Sequence, residues 1–85
     1  MDWTKYSLIV RSSSRKKVLL ALEVERTPTQ IAKATDLNNS HVSRALKELE
    51  DEKIVKCLTP SEVLGRVYTL TDEGKKMLAQ LKKSE

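Results

Sequence analysis

The sequence has no phenylalanine, two glycines, two prolines, one cysteine and one histidine among its 85 residues. A single cysteine excludes a disulfide framework within the chain and fits a reducing compartment. It also excludes a metal site built from several thiols. His41 falls in a segment that reads as helix and Cys57 in one that reads as strand, so no Cys–His nucleophile pair is implied. Gly65 and Gly74 do not form a glycine-rich loop that could cradle phosphates. The clustered acids of residues 48–52, ELEDE, read as a solvated helix end and not as a poised acid/base pair. An enzyme is therefore not expected, nor any cofactor or bound metal. No apolar run approaches the roughly 18 residues needed to span a membrane, and no signal peptide is visible. A cytoplasmic location is expected.

Without phenylalanine, the core must come from Leu, Val and Ile, helped by Trp3, Tyr6 and Tyr68. A chain of this length supports one small domain, and a homodimer is an ordinary way to bury more apolar surface. The net charge of +4 and pI near 9.3 favour a polyanionic partner.

The most informative stretch is residues 38–53, NNSHVSRALKELEDEK. Val42, Ala45, Leu46 and Leu49 recur at i, i+3, i+4 and i+7, which predicts an amphipathic helix with those residues inward. Ser40, Arg44, Lys47 and Asp51 occupy the opposite side, with His41 and Ser43 on its flanks. Asn38 or Asn39 can cap the start. Such a face, polar and cationic at its leading end with acids only from Glu48 onward, suits entry into a DNA groove. Upstream, Thr27-Pro28-Thr29-Gln30 reads as a capping box with proline in the first turn, followed by Ile31, Ala32 and Thr35. Asp36 to Asn39 then breaks the helix, with Leu37 expected to pack inward. Two short helices across a turn of about four residues describe a helix-turn-helix.

The remaining segments fit around that motif. Residues 2–11 place Trp3, Tyr6 and Val10 at near-helical spacing, an aromatic face that either covers the core or meets a partner. A second helix is predicted from about Ser14 to Glu25, burying Val18, Leu19, Ala21 and Leu22, with Leu20 and Val24 widening that face. Its first turn carries Arg15, Lys16 and Lys17, which oppose the helix dipole and point either to a bound phosphate or to side chains reaching solvent. Ile54–Leu58 and Val67–Leu70 read as strands of a hairpin whose loop holds Pro60 and Gly65. Glu62 in that loop argues against deep insertion into a groove. Thr71-Asp72-Glu73 opens a last helix, with Met77, Leu78 and Leu81 on its apolar face. Cys57 reads as a structural thiol more readily than as a redox switch.

Residues 31–50, IAKATDLNNSHVSRALKELE, and 65–75, GRVYTLTDEGK, resemble the winged helix-turn-helix regulators of the archaeal and bacterial MarR/ArsR-like type. The resemblance covers about residues 14–81. It implies a mainly α fold with a small β-hairpin (α+β): a three-helix core plus wing and terminal helix. The whole chain, 1–85, is then one DNA-binding domain, with the helix-turn-helix at 27–53, the wing at 54–70 and terminal helices at 2–11 and 71–83. The expected partner is double-stranded DNA, in a prokaryotic and most simply an archaeal cytoplasm. Asn39, Ser40, His41, Ser43 and Arg44 are the expected base contacts, and Arg15, Thr27, Thr29, Gln30, Lys47 and Arg66 the expected phosphate and wing contacts. In relatives, terminal helices pack with the first helix into a dimer. Here Trp3, Tyr6, Val10, Met77, Leu78 and Leu81 are the expected interface. The chain lacks the long terminal helices of MarR proteins proper. Two other uses of the fold remain open: a protein–protein scaffold, which tends to present an apolar or acidic helix, and RNA binding, which tends to present stacking aromatics.

Overall fold

A computed structural model describes residues 1–62 and 65–84. In chain order the elements are α1 (Trp3–Val10), α2 (Ser13–Ala21), α3 (Pro28–Thr35), α4 (Asn39–Asp51), β1 (Val55–Cys57), β2 (Tyr68–Leu70) and α5 (Asp72–Lys83). The helix starts follow from local chemistry. Asp2, Ser12, Thr27, Asn38 and Thr71 each sit in extended backbone and accept hydrogen bonds from first-turn N–H groups. At α3 the capping box is complete, with Thr27 and Gln30 each satisfying the other's backbone N–H. Asp72 and Glu73 in the first turn of α5, and Lys82 and Lys83 in its last, both favour the helix dipole.

Helix α4 ends in a hydrogen-bonded reversal. Lys53 takes the left-handed conformation (φ 60°), its N–H donates to Glu50 O and that of Ile54 to Leu49 O. This Schellman arrangement satisfies the last carbonyls and aims the chain into β1. β1 and β2 pair antiparallel, Val55 opposite Leu70 and Cys57 opposite Tyr68. The strands are shorter than the apolar runs predicted. The pairing continues through Leu58 N–H to Val67 O, and the Val67 N–H turns instead to Thr59 Oγ1.

One connection departs from the sequence reading. Helix α2 stops at Ala21, with Leu22 as its cap, and does not reach Glu25. The cause lies far along the chain: Arg26 N–H and C=O both bond to Tyr68, making Arg26 a third rung beside the hairpin. Arg26 Nε also donates to Ala21 O at 2.7 Å, closing the helix end. Val24, expected on the buried face, consequently lies 56% exposed.

The buried side chains make one cluster. α2 supplies Val18 and Leu19, α3 Ile31, α4 Val42, Ala45, Leu46 and Leu49, the hairpin Val55, Tyr68 and Leu70, and α5 Met77, Leu78 and Leu81. Leu37 packs on it from the turn between α3 and α4, and Tyr6 and Cys57 pack at its margin. Trp3 does not join; it stands 60% exposed, edge-on to the ring of Tyr6 at 5.7 Å. No helix among the described residues is long and apolar enough to cross a membrane.

Candidate nucleic-acid interface

Helix α4 is the most amphipathic of the segments, and its inward stripe is the one its spacing predicts: Val42, Ala45, Leu46 and Leu49 are all buried. With that face committed to α2 and α3, the rotation of the helix is fixed. Asn39, Ser40, His41, Ser43, Arg44 and Lys47 are then all exposed along its outer side. Asn38, not Asn39, provides the cap, its side-chain oxygen accepting the His41 N–H at 2.9 Å. This leaves the Asn39 amide outside the capping interaction. Among the described residues, no hydrogen bond or ion pair engages the side chains of Ser40, Ser43, Arg44 or Lys47. The first carboxylate along this face is Glu48, and the acids continue at Glu50 and Asp51.

Beside the first half of α4 the start of α2 forms the other wall of a polar cleft of about 270 Å³. Ser12, Ser14, Arg15, His41, Arg44 and Glu48 line it. Residues 15–85 match the family model described as winged helix-turn-helix. The chain belongs to that family. No curated protein matches the sequence. Among solved structures, TubR from Bacillus thuringiensis serovar israelensis pBtoxis, solved bound to 24 bp of tubC, superposes with TM-score 0.82 at 16% identity. That match covers 96% of this chain and 92% of TubR. The adhesin competence repressor AdcR from Streptococcus pyogenes matches at TM-score 0.77 and 17% identity, over 95% of this chain and 65% of that one. A MarR family transcriptional regulator from Silicibacter pomeroyi DSS matches at TM-score 0.73 and 24% identity, over 95% and 56%. The chain thus spans nearly all of TubR but less than two-thirds of these two regulators.

In this winged helix-turn-helix, α3 and α4 form the helix-turn-helix, with α4 its second helix, and the β1–β2 hairpin is the wing. The expected base-contact residues share one exposed face of α4. The expected backbone contacts divide. Thr29 and Lys47 are exposed. Thr27 and Gln30 spend their side-chain oxygens on the capping box, with the Thr27 N–H 2.9 Å from Gln30 Oε1. That leaves the Thr27 hydroxyl proton and the Gln30 amide group as donors. Arg66, exposed at the return of the wing, donates from Nε to Glu62 O at 2.7 Å, so part of its fork is already used. Residues 63 and 64, in the segment expected as the wing, lie outside the described residues.

Two expectations meet a different setting in the fold. Arg15, expected as a phosphate contact, is already engaged within the protein. Its Nε donates to Leu8 O at 2.8 Å and its Nη1 to Glu48 Oε2 at 2.9 Å, tying α1, α2 and α4 together. That internal carboxylate offsets a cation at a helix start. Met77, Leu78 and Leu81 are likewise not surplus apolar residues at the chain end. They are 0%, 8% and 2% exposed and close the domain's own core, which needs them in the absence of phenylalanine. Of the six residues expected at a dimer face, Trp3 and Val10 remain exposed and Tyr6 half-buried. A contact the sequence reading missed is Lys5, whose Nζ donates to Glu52 O at 2.9 Å and holds α1 against the C-terminal end of α4. Only the sequence position of a cation on the first helix hinted at it; the partner is supplied by the fold.

Proposed function

We propose that this protein is a sequence-specific double-stranded DNA-binding regulator of transcription, acting in the cytoplasm as a homodimer and repressing by occupying its site. The observation that carries the reading is the outer face of α4. It presents Ser40, His41, Ser43, Arg44 and Lys47 to solvent with Arg44 unengaged, and its first acid comes only at Glu48. Serine and asparagine groups can meet several base edges, and an arginine fork matches guanine O6 and N7. Thr27, Thr29, Gln30, Lys47 and Arg66 would hold phosphates around it. The likeness to TubR, solved on DNA, supports the same use of the fold. The exposed Trp3 and Val10 on α1 support a two-fold contact there, leaving the two recognition helices about 34 Å apart to reach successive major grooves.

The test begins by enriching a duplex from a random DNA pool and titrating it by fluorescence anisotropy across a range of salt. Binding should weaken steeply, log K falling by about 0.9 per phosphate neutralised against log salt. Absence of duplex binding at low salt, for enriched and random sequence alike, would reject the reading and favour a protein-docking role for the same helix.

A further inference from the structure

Arg44 and Glu48 stand one turn apart on α4, the i,i+4 spacing at which side chains on a helix surface reach one another. In this fold they do not pair. Glu48 Oε2 accepts from Arg15 Nη1 at 2.9 Å, reaching across to α2. Arg15 is itself anchored through Nε to Leu8 O, and its side chain is 20% exposed against 46% for Glu48. A guanidinium already fixed by a backbone carbonyl gives up little further freedom when it meets the carboxylate. Arg44, exposed and unanchored, would give up more, and a basic residue N-terminal to an acidic one is the weaker helix orientation. All three side chains line the same polar cleft.

We infer that Arg15 is a positioning residue for base reading: by holding Glu48 it withholds that carboxylate from Arg44 and keeps the Arg44 guanidinium free for a base edge. The inference rests on the DNA-binding reading above and gives Arg15 a role that needs no contact with DNA. Removing Arg15 releases Glu48 to Arg44. Removing both Arg15 and Glu48 leaves Arg44 without a competitor.

The experiment has one arm without DNA and one with it. In the free protein, side-chain NMR of Arg44 Nε–H is compared among wild type, Arg15→Gln and the Arg15→Gln/Glu48→Gln double variant. The signal should shift and exchange more slowly with water in the single variant and return in the double. In the second arm, affinity for the enriched duplex is divided by affinity for poly(dI-dC). This ratio should fall by up to about fivefold in Arg15→Gln, the upper end for exposed ion pairs, and recover in the double variant. If Arg15→Gln does not fold, Arg15→Met is read the same way, since it keeps an unbranched apolar stem and offers Glu48 no donor. A double variant as impaired as the single would make Arg15 a strut only. An unchanged ratio with both affinities lowered and the salt slope reduced by about one would make it a phosphate contact. Either result overturns the inference. Wild-type protein that binds no duplex overturns the DNA reading itself, while the NMR comparison separately decides whether Arg15 keeps Glu48 from Arg44.

Discussion

Gly74 lies so close to the backbone of Ile54 that a Cβ on it would come within 2.1 Å of the Ile54 carbonyl oxygen. That oxygen also accepts the Thr71 N–H at 3.0 Å, and the Thr71 hydroxyl is shared between the Lys53 and Ile54 carbonyls. The first turn of α5 is thereby seated on the chain where it leaves α4 for the wing. Alanine at Gly74 would gain about 1 kcal/mol of helix propensity. The obstructing atom is backbone and cannot swing aside, so overpacking of about 1–3 kcal/mol should outweigh that gain. Calorimetry of Gly74→Ala should show a melting temperature lower by several degrees. An unchanged or raised value would mean the two segments are not in such contact.

Lys53 makes the opposite prediction. It holds a left-handed conformation at the end of α4, where a side chain is strained and glycine is not. Lys53→Gly should stabilise the fold by up to about 1 kcal/mol, the gain reduced by the greater freedom of glycine in the unfolded chain. Chemical denaturation measures this directly. A loss of stability would show that the lysine side chain makes a contact worth more than the strain.

The proposed dimer rests on α1. Trp3 is 60% exposed and its ring neighbour is Tyr6, so truncating it removes little from the folded protomer. At an interface centre, such a tryptophan is worth about 2 kcal/mol or more. Trp3→Ala should therefore raise the dimer dissociation constant by roughly thirtyfold or more while far-ultraviolet circular dichroism stays unchanged. Analytical ultracentrifugation reads the first quantity. A wild-type protein that sediments as monomer at every concentration would remove the dimer from the proposal.

The parts of this fold legible in the sequence are those whose causes are local. Thr27 to Gln30, Asn38 and Thr71 announce helix starts because a cap acts on N–H groups two or three residues away. The buried stripe of α4 was legible for a similar reason: Val42, Ala45, Leu46 and Leu49 share one face by helix geometry alone. The end of α2 was not, because Tyr68 decides it from the far side of the hairpin by pairing with Arg26. The Arg15–Glu48 pair is not legible, because the two residues meet only once α2 and α4 pack. What Met77, Leu78 and Leu81 pack on is not legible either, because periodicity identifies an apolar face without saying what it meets. The candidate site is thus legible as a set of exposed side chains on α4, and its internal constraint is visible only in three dimensions.

The division of labour along α4 yields the last prediction. Arg44 projects from the second turn, exposed and without a partner among the described residues, while Lys47 lies nearly one turn further on. If α4 enters a groove by its leading turns, the planar fork of Arg44 would suit guanine and would carry about 1–3 kcal/mol of discrimination. In that docking Lys47 would stand where the helix departs from the base edges, and its ammonium would suit phosphate. Arg44→Ala should flatten preference at one base pair in each half-site. Lys47→Ala should weaken binding to all sequences alike and lower the salt slope by about one. Both side chains are on the solvent face, so stability should move by less than about 0.5 kcal/mol in either variant. Anisotropy against a panel of single-base variants of the enriched duplex separates the two roles. If Arg44→Ala instead lowers affinity for enriched and random DNA equally, with a smaller salt slope, Arg44 is a phosphate clamp. Base reading would then have to come from Asn39, Ser40, His41 and Ser43.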